Sequence, residues 1–63
     1  MNSFYDVQQL LKRYGTIIYT KNRETDIMMM EEELRELYKL SMLDAKTYQQ
    51  GILILKNELQ KEG

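Results

Sequence analysis

One short stretch, Thr16-Ile17-Ile18-Tyr19, decides most of what this chain can become. It is β-branched and aromatic, suited to a strand and too short to make a good helix. A single extended segment with no partner cannot build a sheet. The stretch is therefore expected to be a strap crossing the end of a helical bundle, with Ile17 or Ile18 plugging the core. The remaining sequence carries helical periodicity. The fold class is all-α, a small three-helix bundle with a short extended strap between the first and second helices.

The first helix is expected over residues 4–14. Ser3 is placed as its N-cap, and Asp6 supports the first turn electrostatically. Phe4, Val7, Leu10, Leu11 and Tyr14 fall in an arc of roughly 120°, the width of one buried stripe. Gly15 then stands where a left-handed C-terminal cap belongs. After the polar turn Thr20-Lys21-Asn22, with Asn22 as N-cap, the second helix is expected over 23–40. Its stripe is Ile27, Met30, Leu34, Leu37 and Tyr38, and Glu31 and Arg35 form an i,i+4 pair. Ser41-Met42-Leu43 turns the chain. Asp44 caps a third helix over 45–61, with a stripe of Ala45, Tyr48, Ile52, Leu55 and Leu59. Gly51 inside that helix costs about 1 kcal/mol relative to alanine, which points to a close helix–helix approach. The 63 residues contain no repeat and no linker and read as one domain over 1–63.

Composition then removes whole classes of chemistry. There is no cysteine and no histidine, hence no disulfide, no thiolate nucleophile, no zinc–thiolate site and no imidazole base. Seven of the ten carboxylates lie between Glu24 and Asp44. Pairs such as Glu32 and Glu36 share the polar face of one helix, whereas acid/base work needs two carboxyls across a cleft with one desolvated. Calcium-loop and phosphate-cradling glycine patterns are absent. No enzyme, cofactor or metal is expected. The longest uncharged run, Thr47–Leu55, is nine residues where a membrane span needs about 20, and the first fifteen residues lack the apolar core of a signal peptide. The expected location is the cytoplasm, away from membranes.

Charge is unevenly spread although the net value is −1. Residues 1–23 hold four cations against one carboxylate, residues 24–44 two against seven, and residues 45–63 three against two. Tyr5, Gln8, Gln9 and Lys12 share the face of the first helix opposite its core stripe, with Arg13 beside them. Tyr19, Lys21 and Arg23 lie just beyond. Interleaved rings, amides and cations suit single-stranded DNA or RNA, because rings stack on any base and cations neutralise phosphates. The plainer reading is partly packed tyrosines and solubilising charges, and a pI near 5.3 favours it.

A surplus of apolar side chains suggests another use. Met28, Met29 and Leu40 on the second helix and Leu53 and Ile54 on the third lie off the buried stripes. Scattered exposed hydrophobes are normal. Merged into one patch they would make an interface with a second copy or another protein, and methionine suits an adaptable one. Such an interface would relieve the marginal stability expected of so short a chain.

The run Phe4-Tyr5-Asp6-Val7-Gln8-Gln9-Leu10-Leu11-Lys12-Arg13-Tyr14-Gly15, then Ile18-Tyr19-Thr20, Glu32-Glu33-Leu34-Arg35-Glu36-Leu37-Tyr38 and Ile52-Leu53-Ile54-Leu55, resembles the YqgQ-like proteins over nearly the whole chain. These are small, uncharacterised cytoplasmic proteins of Gram-positive bacteria. The resemblance implies a three-helix bundle with no known catalytic activity, and single-stranded nucleic-acid binding as its suggested role. It implies no site residues. This chain has Lys21-Asn22 where the family's Gly-Asp type of turn is expected, so its turn lacks a glycine and gains a cation.

Overall fold

Each helix starts where a side chain can satisfy its first amide groups. In the computed structural model, which describes residues 1–62 (Glu62 by its backbone only), α1 spans Phe4–Arg13, α2 spans Arg23–Lys39 and α3 spans Ala45–Glu62. Gly63 lies outside the described residues. Ser3 and Asp6 form a reciprocal capping box on α1: the Asp6 amide donates to Ser3 Oγ at 3.3 Å, and the amides of Asn2 and Ser3 donate to Asp6 Oδ2 at 2.8 and 3.2 Å. On α2 the Thr25 amide donates to Asn22 Oδ1 at 2.9 Å.

Two helices end in the same way. The amide of Gly15, at φ +84°, donates to the Lys12 carbonyl, and that of Thr16 reaches back to Leu11. On α2 the amide of Ser41, at φ +60°, donates to Tyr38 and that of Met42 to Leu37. Both are Schellman caps, but the second puts serine at the left-handed position. Lys21, at φ +70°, is a further left-handed residue. The glycine-free turn read from the sequence is thus a turn whose backbone favours glycine.

Side-chain contacts fix how the helices run. The Arg23 guanidinium at the start of α2 lies 4.2 Å from the ring centroid of Phe4 at the start of α1. At the far end the Tyr14 hydroxyl donates to the Met42 carbonyl at 3.1 Å. Helices α1 and α2 are therefore parallel. Arg23 also meets Glu58, late in α3, at 2.7 Å, so α3 is antiparallel to both. The α2–α3 pairing is the most extensive of the three.

Because α1 and α2 are parallel, the strap must carry the chain back. The Thr16 hydroxyl donates to Glu33 at 3.2 Å, and the amide and hydroxyl of Thr20 donate to Asp26 Oδ1 at 2.8 and 2.7 Å. Four steps of extended chain cover about 13 Å, and the seven helical steps from Asp26 to Glu33 about 10 Å. The strap thus lies alongside α2, antiparallel to it. This corrects the expectation of a strap across the bundle end. Ile18 is the residue that packs on the core, while Ile17 is 78% exposed.

The core is Val7, Leu11, Ile27, Met30, Leu34, Leu37, Leu43 and Leu55. Leu43 was expected in a turn. Met1 also packs against this cluster, and Gly51 is buried in α3. Tyr14, Tyr38 and Ala45, placed in the stripes by periodicity, are exposed. Tyr38 instead stacks on Tyr48, with centroids 4.5 Å apart and planes 4° from parallel. The expected Glu31–Arg35 pair is not among the salt bridges of the described residues, where α2 has Lys39–Glu36 at 3.8 Å.

Candidate functional site

The outer face of α1 and the strap beside it form a groove of about 220 Å³. Gln8, Gln9 and Lys12 line it from α1, Ile17 and Ile18 from the strap, and Leu11 and Met30 floor it. Helical spacing puts these polar residues there: Gln8 and Gln9 precede Lys12 by four and three positions, so all three share one face. Tyr5 lies one turn earlier on that face and is 64% exposed, and Tyr19, the last residue of the strap, is 73% exposed. The groove therefore combines two amides, one ammonium group and an apolar floor, with Tyr5 and Tyr19 exposed outside its lining.

The predicted residues do not all join this groove. Lys21 is exposed in the turn after the strap, on the α2 side of the same end. Arg13 lies on the other flank of α1, where it lines a separate hollow with Met1, Asp6, Gln9 and Leu10. Arg23 is committed elsewhere, bonded to Glu58 and covering Phe4. Its guanidinium holds α1, α2 and α3 together at one end of the bundle.

The apolar surplus also separates. Ile54 is half-buried against the core, and Leu53 stands on the outer face of α3. Leu40 closes the far end of α2 as its C-cap residue. Met28 and Met29 remain together on α2, lining one shallow hollow with Glu31, Glu32 and Arg35. Ile17, exposed on the strap, lines another hollow with Met29.

Asp26 is the polar residue that periodicity underrated. It is buried and holds the strap through Thr20. Its position four residues before Met30 puts it on the buried stripe, and that spacing was the available signal. Two exposed carboxylates are held below the usual range. For Asp6 the chief cause is the hydrogen bond from the Asn2 amide, and for Asp44 the hydrogen bond with the Thr47 side chain. Both serve helix starts. Among the described residues no group of three potential ligands converges on a metal position.

The YqgQ-like family profile matches residues 1–61. This chain belongs to the YqgQ-like family. A relative from Bacillus subtilis (strain 168), the "Uncharacterized protein YqgQ", is 44% identical over 61 residues, covering 97% of this chain and 86% of its own length. The matched span takes in the caps at Ser3, Gly15, Asn22 and Ser41, the strap and the groove. Membership agrees with the resemblance read from the sequence, and the helices agree with the all-α bundle it implied. Among the described residues no helix is long and apolar enough to cross a membrane.

Proposed function

We propose that this chain is a non-catalytic cytoplasmic binding module whose α1–strap face takes single-stranded nucleic acid. One observation carries the reading: Gln8, Gln9 and Lys12 line a half-apolar groove, and the strongly exposed Tyr5 and Tyr19 both stand toward the end of the bundle where α1 and α2 begin. Tyr5 and Tyr19 stack on bases, Lys12 and Lys21 contact phosphates, and the glutamine amides hydrogen-bond sugars or base edges. Arg13 reaches the strand from the flank. Across the Ile17 ridge, Glu32, Glu33 and Glu36 repel the backbone and confine the strand to the α1 side.

With Arg23 engaged by Glu58, three cations are left for phosphates. Three contacts on a single strand predict a slope of log K against log salt near about −2. The test is an anisotropy titration of labelled single-stranded DNA and RNA at several salt concentrations. Saturable binding with that slope, lost on Lys12→Glu and weakened about tenfold by Tyr5→Ala, supports the assignment. No binding at low salt, or binding indifferent to Lys12→Glu, overturns it.

A further inference from the structure

We propose that the ridge formed by Ile17, Met28 and Met29 seats a basic amphipathic helix of another protein. This goes beyond the nucleic-acid reading, shares only the strap residues Thr16, Ile17 and Ile18 with that groove and stands if that reading fails. Ile17 is 78%, Met28 65% and Met29 43% exposed, in a chain small enough to need every apolar residue it can bury. Met29 separates two shallow hollows. One, of about 440 Å³, is lined by Ile17, Ile18 and Met29 with Glu32, Glu33 and Glu36. The other, of about 460 Å³, is lined by Met28 and Met29 with Glu31, Glu32 and Arg35. The hollows lie side by side across the exposed face of α2, one on each flank of Met29, and suit the apolar face of a docked helix. Adjacent methionines can reshape themselves around it.

The charge around the ridge selects the occupant. Glu31, Glu32, Glu33 and Glu36 rim the hollows, and Arg35 is the cation among their lining residues. Glu33 already accepts from Thr16, and Glu36 lies 3.8 Å from Lys39. Glu31 and Glu32 are in no salt bridge among the described residues. A second copy docking by the same face would set this acidic rim against itself. Phosphate backbones and anionic bilayers are repelled in the same way. A helix with leucine-like residues on one side and lysines or arginines flanking them satisfies both the ridge and the rim.

The probe is a labelled synthetic leucine–lysine peptide of about five helical turns. A scrambled peptide without an apolar face and a version with glutamate replacing lysine serve as controls. The full chain should bind the first peptide saturably, and salt should weaken that binding. Met28→Ser with Met29→Ser should weaken it about tenfold or more, and Glu32→Lys with Glu36→Lys should do the same. These side chains are largely exposed, and circular dichroism verifies that the variants are folded. Labelled single-stranded DNA titrated against the methionine variant separates this surface from the α1 groove. Equal binding of the scrambled peptide, no saturable binding, or indifference to the methionine changes overturns the proposal. So does a dimer in sedimentation equilibrium that the methionine changes abolish, because the face would then belong to a second copy.

Discussion

A Cβ added to Gly51 would stand 2.9 Å from Cδ1 of Leu34, inside the distance at which real Cβ atoms make contacts. The missing side chain is what lets α3 press against α2. Alanine would favour the helix by about 1 kcal/mol, but overpacking costs about 1–3 kcal/mol. Leu34 is fully buried and has no open side to move into. Gly51→Ala should therefore lower stability in urea unfolding by about 1 kcal/mol. Leu34→Ala alone should cost about 2–5 kcal/mol, and the double variant less than the sum of the two.

Asp26 and Thr20 fasten the strap. Asp26→Ala removes a charged acceptor from both an amide and a hydroxyl, which should cost about 2–3 kcal/mol. Thr20→Val keeps the amide bond but loses the hydroxyl's bond to Asp26 and its acceptance from the Asn22 amide at 3.3 Å, and should cost about 1 kcal/mol. Amide exchange is the sharper measurement: Thr20 should lose its protection in Asp26→Ala before the core amides do.

The left-handed positions predict opposite outcomes for opposite exchanges. At Gly15 nothing lies within 4 Å of an added Cβ, so Gly15→Ala meets backbone strain alone and should lose about 1 kcal/mol. Ser41→Gly and Lys21→Gly release that strain, partly offset by glycine's freedom in the unfolded chain. Each should raise stability by about 0.5 kcal/mol in thermal unfolding.

Acid should loosen two helix starts. The carboxyls of Asp6 and Asp44 are held below the ordinary aspartate value of 3.8 in the folded chain. A depressed carboxylate contributes stability above its unfolded pKa and loses it as pH falls through the folded one. The melting temperature should drop from about pH 4 downward, and Asp6→Asn with Asp44→Asn should fall less steeply over that range. A wild-type curve no steeper than the variant's would remove these caps from the account.

Arg23 tests the division between structure and binding. Its guanidinium reaches Glu58 and covers Phe4, a partly exposed arrangement worth about 1 kcal/mol. Arg23→Ala should reduce stability by about that amount and leave affinity for single-stranded DNA unchanged. Lys12→Ala should do the reverse.

What could be read from the sequence was what depends on neighbours within a turn. The caps at Ser3, Asn22 and Gly15, the stripes through Leu11, Leu34 and Leu55, and the close approach at Gly51 all follow from local spacing. The direction of the strap does not, because it is set by Thr16–Glu33 and Thr20–Asp26, whose donors and acceptors belong to different elements. The same distance hid Arg23, whose partner Glu58 is 35 residues away. Gln8, Gln9 and Lys12 were legible as a face of α1. That the strap would wall one side of it was not. Of the apolar surplus, Met28, Met29, Leu40 and Leu53 are exposed but Ile54 packs on the core, since spacing within α3 does not tell which side α1 will cover.

The return path of the strap also has a kinetic and thermodynamic consequence. Helices α2 and α3 are joined by a short turn and close as a local hairpin, whereas α1 docks only when residues 14–22 have doubled back. Contacts of short loop length form first. The strap, held by one half-buried isoleucine and two side-chain tethers, is laid down last and released at least cost. It walls the hollows on both of its sides. Any ligand that requires a seated strap on one side therefore lowers the ordering cost for a ligand on the other, linking the two surfaces without contact between their occupants.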